Sequence, residues 1–161
     1  MGQTMLKTTM KPLMMALALT TGLAGTAAAC SMSPGHAAAM VSLVNAERAR
    51  AGLGTVALDG SLMQAAQSLA CDNARARSYS HTGADGSDLR ARVKRAGYRL
   101  REAVENTFLG RNGAGAAVGY WARSGGHRAN MLEPGVTGAG VGVAATGDGR
   151  EAWVLVLGRN G

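Results

Sequence analysis

The last third of the chain carries the pattern that most limits its fold. From Gly138 to Ala145 small and aliphatic residues alternate, Asp148-Gly149 supplies a turn, and Ala152 to Leu157 returns as Ala-Trp-Val-Leu-Val-Leu. An Asp-Gly pair between two such runs predicts a β-hairpin. Gly138-Ala139-Gly140-Val141-Gly142 has the look of a nucleotide loop, but no helix follows it, so it reads as a tightly packed strand.

Upstream the pattern is helical. Ser33-Pro34 opens a first helix, with serine as cap and proline in the first turn. Met40, Leu43, Val44 and Glu47 follow at helical spacing, and the helix stops near Gly52. Asn45 and Arg48 read as polar surface. Asp59 or Ser61 caps a second helix, with Leu62, Ala66, Leu69 and Asn73 down one side. Ser87 caps a third, with Leu89, Val93 and Ala96 inward and Gly97 as its stop. Tyr98 to Phe108 reads as extended, and Ala116 to Trp121 as a weak fourth helix that Gly119 costs about 1 kcal/mol. A short helix after His127 ends before Pro134. With 24 glycines and only 4% aromatics, the core must be built from Ala, Val, Leu and Met.

Residues 1–29 read as a secretory signal peptide: Lys7 and Lys11, the apolar run Leu13 to Leu19, then Ala27-Ala28-Ala29. Residues 30–39 form a lead-in and residues 40–158 one domain. The expected location is secreted or periplasmic, with no transmembrane segment in the mature chain. In that oxidising setting Cys30 and Cys71 are expected to form one disulfide, worth about 3–4 kcal/mol in the chain-entropy model. Lipid attachment at Cys30, directly after three alanines, is the rival reading. No CxxC pair is present, which argues against a redox motif or a thiolate zinc site. The 17 Lys and Arg outnumber the 10 Asp and Glu, and Arg90, Arg92, Lys94, Arg95, Arg99 and Arg101 form the densest group. This group reads as a solvated helix face. Too few aromatics lie between the cations for a nucleic-acid surface, so no nucleic-acid partner is expected.

The stretch Gly125-Gly126-His127-Arg128-Ala129-Asn130-Met131-Leu132 places a histidine after two glycines, aimed at a cleft. His81, after Tyr79-Ser80, and Glu105, before Asn106, are expected to reach the same cleft. Two imidazoles and a carboxylate can hold a divalent cation such as Zn or Mg, with water completing the shell. They can also move protons around a bound substrate. Ser80 and Ser124 lie beside histidines, but adjacency alone does not make a nucleophile–base pair.

The chain resembles the CAP superfamily (cysteine-rich secretory, antigen 5 and pathogenesis-related-1 proteins; SCP domain) in its short bacterial form. The matching stretches are Leu43-Val44-Asn45-Ala46-Glu47-Arg48, Tyr79-Ser80-His81, Arg92 to Tyr98, Glu105-Asn106, Ser124 to Leu132, Gly140 to Val143 and Trp153 to Gly158. The resemblance implies an α+β fold, a three-layer α-β-α sandwich with a small, mainly antiparallel sheet. It also implies a cavity lined by His81, Glu105 and His127, the candidate metal ligands. The family's fourth acidic position falls at Ala122-Arg123-Ser124, where this chain has no acid; Glu102 and Asp85 are the alternatives. The function so implied is a monomeric, non-catalytic module binding a divalent metal or small ligand at the cell envelope. Envelope lipid, glycan or protein are the partner classes, and a metal-dependent hydrolase is the competing reading.

Overall fold

Two amide side chains show how the helices are clipped to the sheet. Asn45 donates to the Val56 carbonyl (3.0 Å) and accepts from the Val56 amide (2.9 Å). Gln67 does the same to Val143, at 2.9 and 3.0 Å. The computed structural model describes residues 1–2, 30 and 34–161. The expected leader peptide and the Ser33 cap lie outside the described residues.

Helix α1 (Pro34–Arg50) is followed by the two-residue strand β1 (Ala57–Leu58), then by helices α2 (Gly60–Ala76) and α3 (Leu89–Arg95). Strand β2 (Leu100–Gly110), helices α4 (Gly113–Ala122) and α5 (Gly125–Met131), and strands β3 (Gly138–Ala145) and β4 (Glu151–Asn160) complete the order. The sheet runs β1-β3-β4-β2; only the β1–β3 pairing is parallel. Alternation sends β4 residues Trp153, Leu155 and Leu157 to a core shared with α1, α4 and α5. Ala152, Val154 and Val156 face a second core under α2 and α3. This is the expected three-layer α-β-α sandwich, and the hairpin falls where the Asp-Gly turn placed it.

The glycine-rich strand explains how α2 sits so close. A Cβ on Gly140 would lie 2.1 Å from the Leu62 carbonyl carbon, and one on Gly142 would lie 2.4 Å from that of Ala66. Only hydrogen fits there, so α2 rests backbone on backbone against β3. Asp59 caps α2 as expected, accepting from the Leu62 amide at 3.0 Å. The third helix is capped by Asp88 rather than Ser87, and Ser87 is buried.

Several expectations need correction. Leu43 is exposed; the inward stripe of α1 is Ala37, Met40, Val41, Val44 and Arg48. Arg48 is 1% exposed and not surface. It donates to the carbonyls of Gly54 (2.8 Å), Met131 (3.0 Å) and Glu133 (2.9 Å), which satisfies its charge-bearing N–H groups without a carboxylate. Burial lowers its pKa, opposed by Glu133. The cationic group on α3 is exposed except for Arg92, which turns inward. The Cys30–Cys71 bridge is not formed: both are free thiols. The Cys71 sulfur lies 3.5 Å from the Cys30 carbonyl oxygen, whereas the Cys30 sulfur is turned to Arg75 at 3.6 Å. Burial leads in pushing the Cys71 thiol up to about 11, so it stays protonated at neutral pH. No helix among the described residues is long and apolar enough to cross a membrane.

Candidate functional site

Strand β2 is the outer strand of the sheet, and the predicted histidines approach its free edge from opposite faces. His81 comes from the loop between α2 and α3. His127 comes from α5, on the other side. Together with Tyr79, Thr107, Phe108, Leu109 and Tyr120 they line one cavity of about 350 Å³. The cleft therefore has two lips, each with a histidine and a tyrosine, and a floor made by Thr107 to Leu109.

Each lip is fixed by buried polar groups. On the first, Asn73 donates to the Ser80 carbonyl (2.9 Å) and accepts from the Ser80 amide (3.0 Å). Thr107 donates its hydroxyl to the Tyr79 carbonyl at 2.6 Å, and Arg92 donates to the His81 carbonyl at 3.1 Å. On the second, Asn106 donates to the His127 carbonyl (2.8 Å), while Asn130 donates to the Glu105 carbonyl (3.0 Å) and to the Asn106 amide oxygen (2.9 Å). Arg48 holds the far end of α5 through the Met131 carbonyl. Asn106 and Asn130 thus satisfy backbone carbonyls.

Glu105 has a different place from the one expected. Its side chain is 3% exposed and lies behind His81 rather than on the cavity wall. One carboxylate oxygen accepts from His81 Nδ1 at 2.9 Å, and the other accepts from Arg92 at 2.7 Å. Against a carboxylate, Nδ1 must carry the proton, which leaves His81 Nε2 for the cleft. The Glu105 hydrogen bond raises the His81 pKa, opposed by partial burial and by Arg92. His127 Nδ1 lies 2.9 Å from Ser124 Oγ, so its Nε2 is the free nitrogen. Burial lowers the His127 pKa, and the nearby His81 charge lowers it further. The two imidazoles are thus shifted in opposite directions, His81 up and His127 down.

The expected three-ligand ion site does not fit this arrangement. Both Glu105 oxygens are occupied, one by a guanidinium, and no three His, Cys, Asp or Glu side chains among the described residues converge on a point. The alternative acids are also engaged elsewhere: Glu102 accepts from Arg159 (2.8 Å) and Asp85 from Arg95 (2.8 Å). Ser124 reaches its histidine through Nδ1, but no carboxylate orients that ring and Ser124 does not line the cavity, so a triad is not assembled. Arg92, which in the sequence looks like one more surface cation, is the buried partner of Glu105 that sequence alone does not single out. It opens the matched stretch Arg92 to Tyr98 and, by helical spacing, lies one turn before Ala96 on the inward side of α3, but neither signal points to Glu105.

Residues 41–157 match the model of the cysteine-rich secretory protein family, CAP. The uncharacterized protein YkwD of Bacillus subtilis (strain 168) is 31% identical over 67% of this chain, and the match spans 42% of YkwD's length. Among solved structures, an outer surface protein of Borrelia burgdorferi superposes with a TM-score of 0.73 at 18% identity, covering 81% of this chain and 97% of that one. An extracellular SCP-domain protein of Bacillus anthracis str. Ames gives 0.69 at 24% identity, covering 81% of this chain and 45% of that one.

Proposed function

The chain belongs to the cysteine-rich secretory protein family, and from that premise we propose that it acts outside the cytoplasm as a non-catalytic module whose two-histidine cleft binds a small ligand. The observation that carries this reading is the pair of imidazoles facing one cavity across the β2 edge, each with Nδ1 tied back and Nε2 free. A preformed cavity of about 350 Å³ with apolar walls and a few fixed polar groups is the usual form of a small-molecule site. Export is supported by the leader-like residues 1–29 and by the outer-surface and extracellular descriptions of the two solved relatives. Glu105 and Arg92 serve to orient His81 and take no part in chemistry on the ligand. A resident divalent ion and the hydrolase built on it receive less support, because the carboxylate that would complete the site is spent on Arg92.

Anilinonaphthalene sulfonate, which has an apolar body and an anionic head, is a suitable probe. Its fluorescence should rise saturably with the protein, and His81→Ala and His127→Ala should each weaken binding several-fold at a temperature where all three proteins are folded. Equal binding by all three proteins, or none by any, would overturn the reading. Zn²⁺ titration forms the second arm: an ion bound more tightly than the probe, and lost in both variants, would restore the metal site in its place.

A further inference from the structure

We propose that the cleft takes a saccharide of one or two rings, with ring faces packed on Tyr79 and Tyr120 and hydroxyls bonded to His81 and His127. The inference rests on the cleft-binding reading above and names the chemistry of its ligand.

The exposed aromatic residues point to it. Tyr79 is 69% exposed and Tyr120 47%, and both line the cleft, one on each lip. Leu43 and Leu58, the other large apolar side chains left exposed within the domain, lie elsewhere. Tyr120 is a held platform: its ring centroid is 5.5 Å from that of Phe108 and 5.6 Å from that of His127. A stiff, amphipathic ring offers contact area with little conformational entropy to lose. The C–H face of a pyranose suits the electron-rich face of such a ring. The sugar's hydroxyls both donate and accept, so they can pair with the two Nε2 atoms left over once each Nδ1 is tied back. The cavity size also suits a small ligand, at the low end of the range of about 300–1,000 Å³ for such sites.

Other ligand classes fit less well. An acyl chain would set methylenes against the two free Nε2 atoms and leave them unsatisfied. A cationic ligand would meet His81, with Arg92 behind it. An extended peptide would need the free edge of β2, but the Glu105 carbonyl is taken by Asn130 and that of Thr107 by the Trp121 indole (2.9 Å).

The test is a titration of the purified protein with diacetylchitobiose, a neutral disaccharide, and separately with a hexuronate disaccharide, followed by the imidazole NMR signals. The His81 and His127 signals should shift saturably while His36, on α1, stays still. Tyr79→Ala and Tyr120→Ala should each weaken binding about three- to tenfold, and Tyr79→Phe should retain it. Binding by either sugar supports the class, and the tighter of the two fixes its charge. Absence of a shift with both sugars at millimolar concentration, or shifts indifferent to both tyrosine-to-alanine variants, would overturn the proposal. If anilinonaphthalene sulfonate still moves the two histidine signals, the saccharide fails and the cleft stands; if nothing moves them, both fail.

Discussion

The two flanks of the sheet are built on opposite principles. On the β3 flank, α2 approaches so closely that Gly140 and Gly142 have no room for a methyl group, and the contact is apolar and filled. On the β2 flank, Glu105, Asn106 and Thr107 are buried, and side chains from Arg92, Trp121 and Asn130 reach in to satisfy them or the backbone they carry. The first flank is held by exclusion and has one solution. The second is held by directed hydrogen bonds and can keep a cavity open beside them. The cavity lies where the fold is stabilised by polar contacts, because those contacts hold side chains in place without filling the space next to them.

The largest effect is expected on the glycine flank. Gly140→Val would drive a side chain into the α2 backbone and should cost about 5 kcal/mol or more, enough to leave little folded protein by urea denaturation. On the polar flank, Arg92→Met strands the Glu105 carboxylate with only His81 as partner. It should cost about 3–5 kcal/mol on the same measurement. Trp121→Phe keeps the ring but removes the donor to the Thr107 carbonyl, for a loss of about 1–3 kcal/mol. If Arg92→Met were milder than Trp121→Phe, the buried ion pair would not be what fixes this flank.

The smallest effects concern pH, and they differ in sign between the lips. The raised pKa of His81 contributes stability that is complete below about pH 6.5, the unfolded value, and is lost as pH rises through the folded value. The depressed pKa of His127 acts the other way, costing stability below about pH 6.5 and nothing above it. His127→Asn protein should therefore lose stability as pH rises from 6 to 8, and His81→Asn protein should gain it. Both changes are small, since His81 is half exposed. Parallel profiles for the two variants would erase the difference between the lips.

The glycine flank was legible in the sequence and the polar flank only in part. Alternating Gly138, Gly140 and Gly142 with a downstream Asp-Gly turn states a close-packed hairpin directly, because the pattern is local. The Asp59 cap and the Leu62-Ala66-Leu69 stripe were legible for the same reason. His81 and His127 were found through family motifs and do share a cavity. Glu105 was found, but its role was misplaced, since nothing local tells that Arg92 will take its second oxygen. Arg48 was missed likewise: beside the local Gly54 carbonyl, two of its carbonyl partners, on Met131 and Glu133, lie more than 80 residues away. A buried cation paired over that distance has the same letter in the sequence as a surface one.

The central claim is that His81 and His127 face one cleft and are set apart by Glu105. NMR titration of the imidazole signals tests it most directly. The account predicts that His81 titrates above the ordinary histidine value and His127 below it, with Glu105→Gln lowering the first and easing the depression of the second. Two histidines that titrate alike, and that ignore Glu105→Gln, would contradict it.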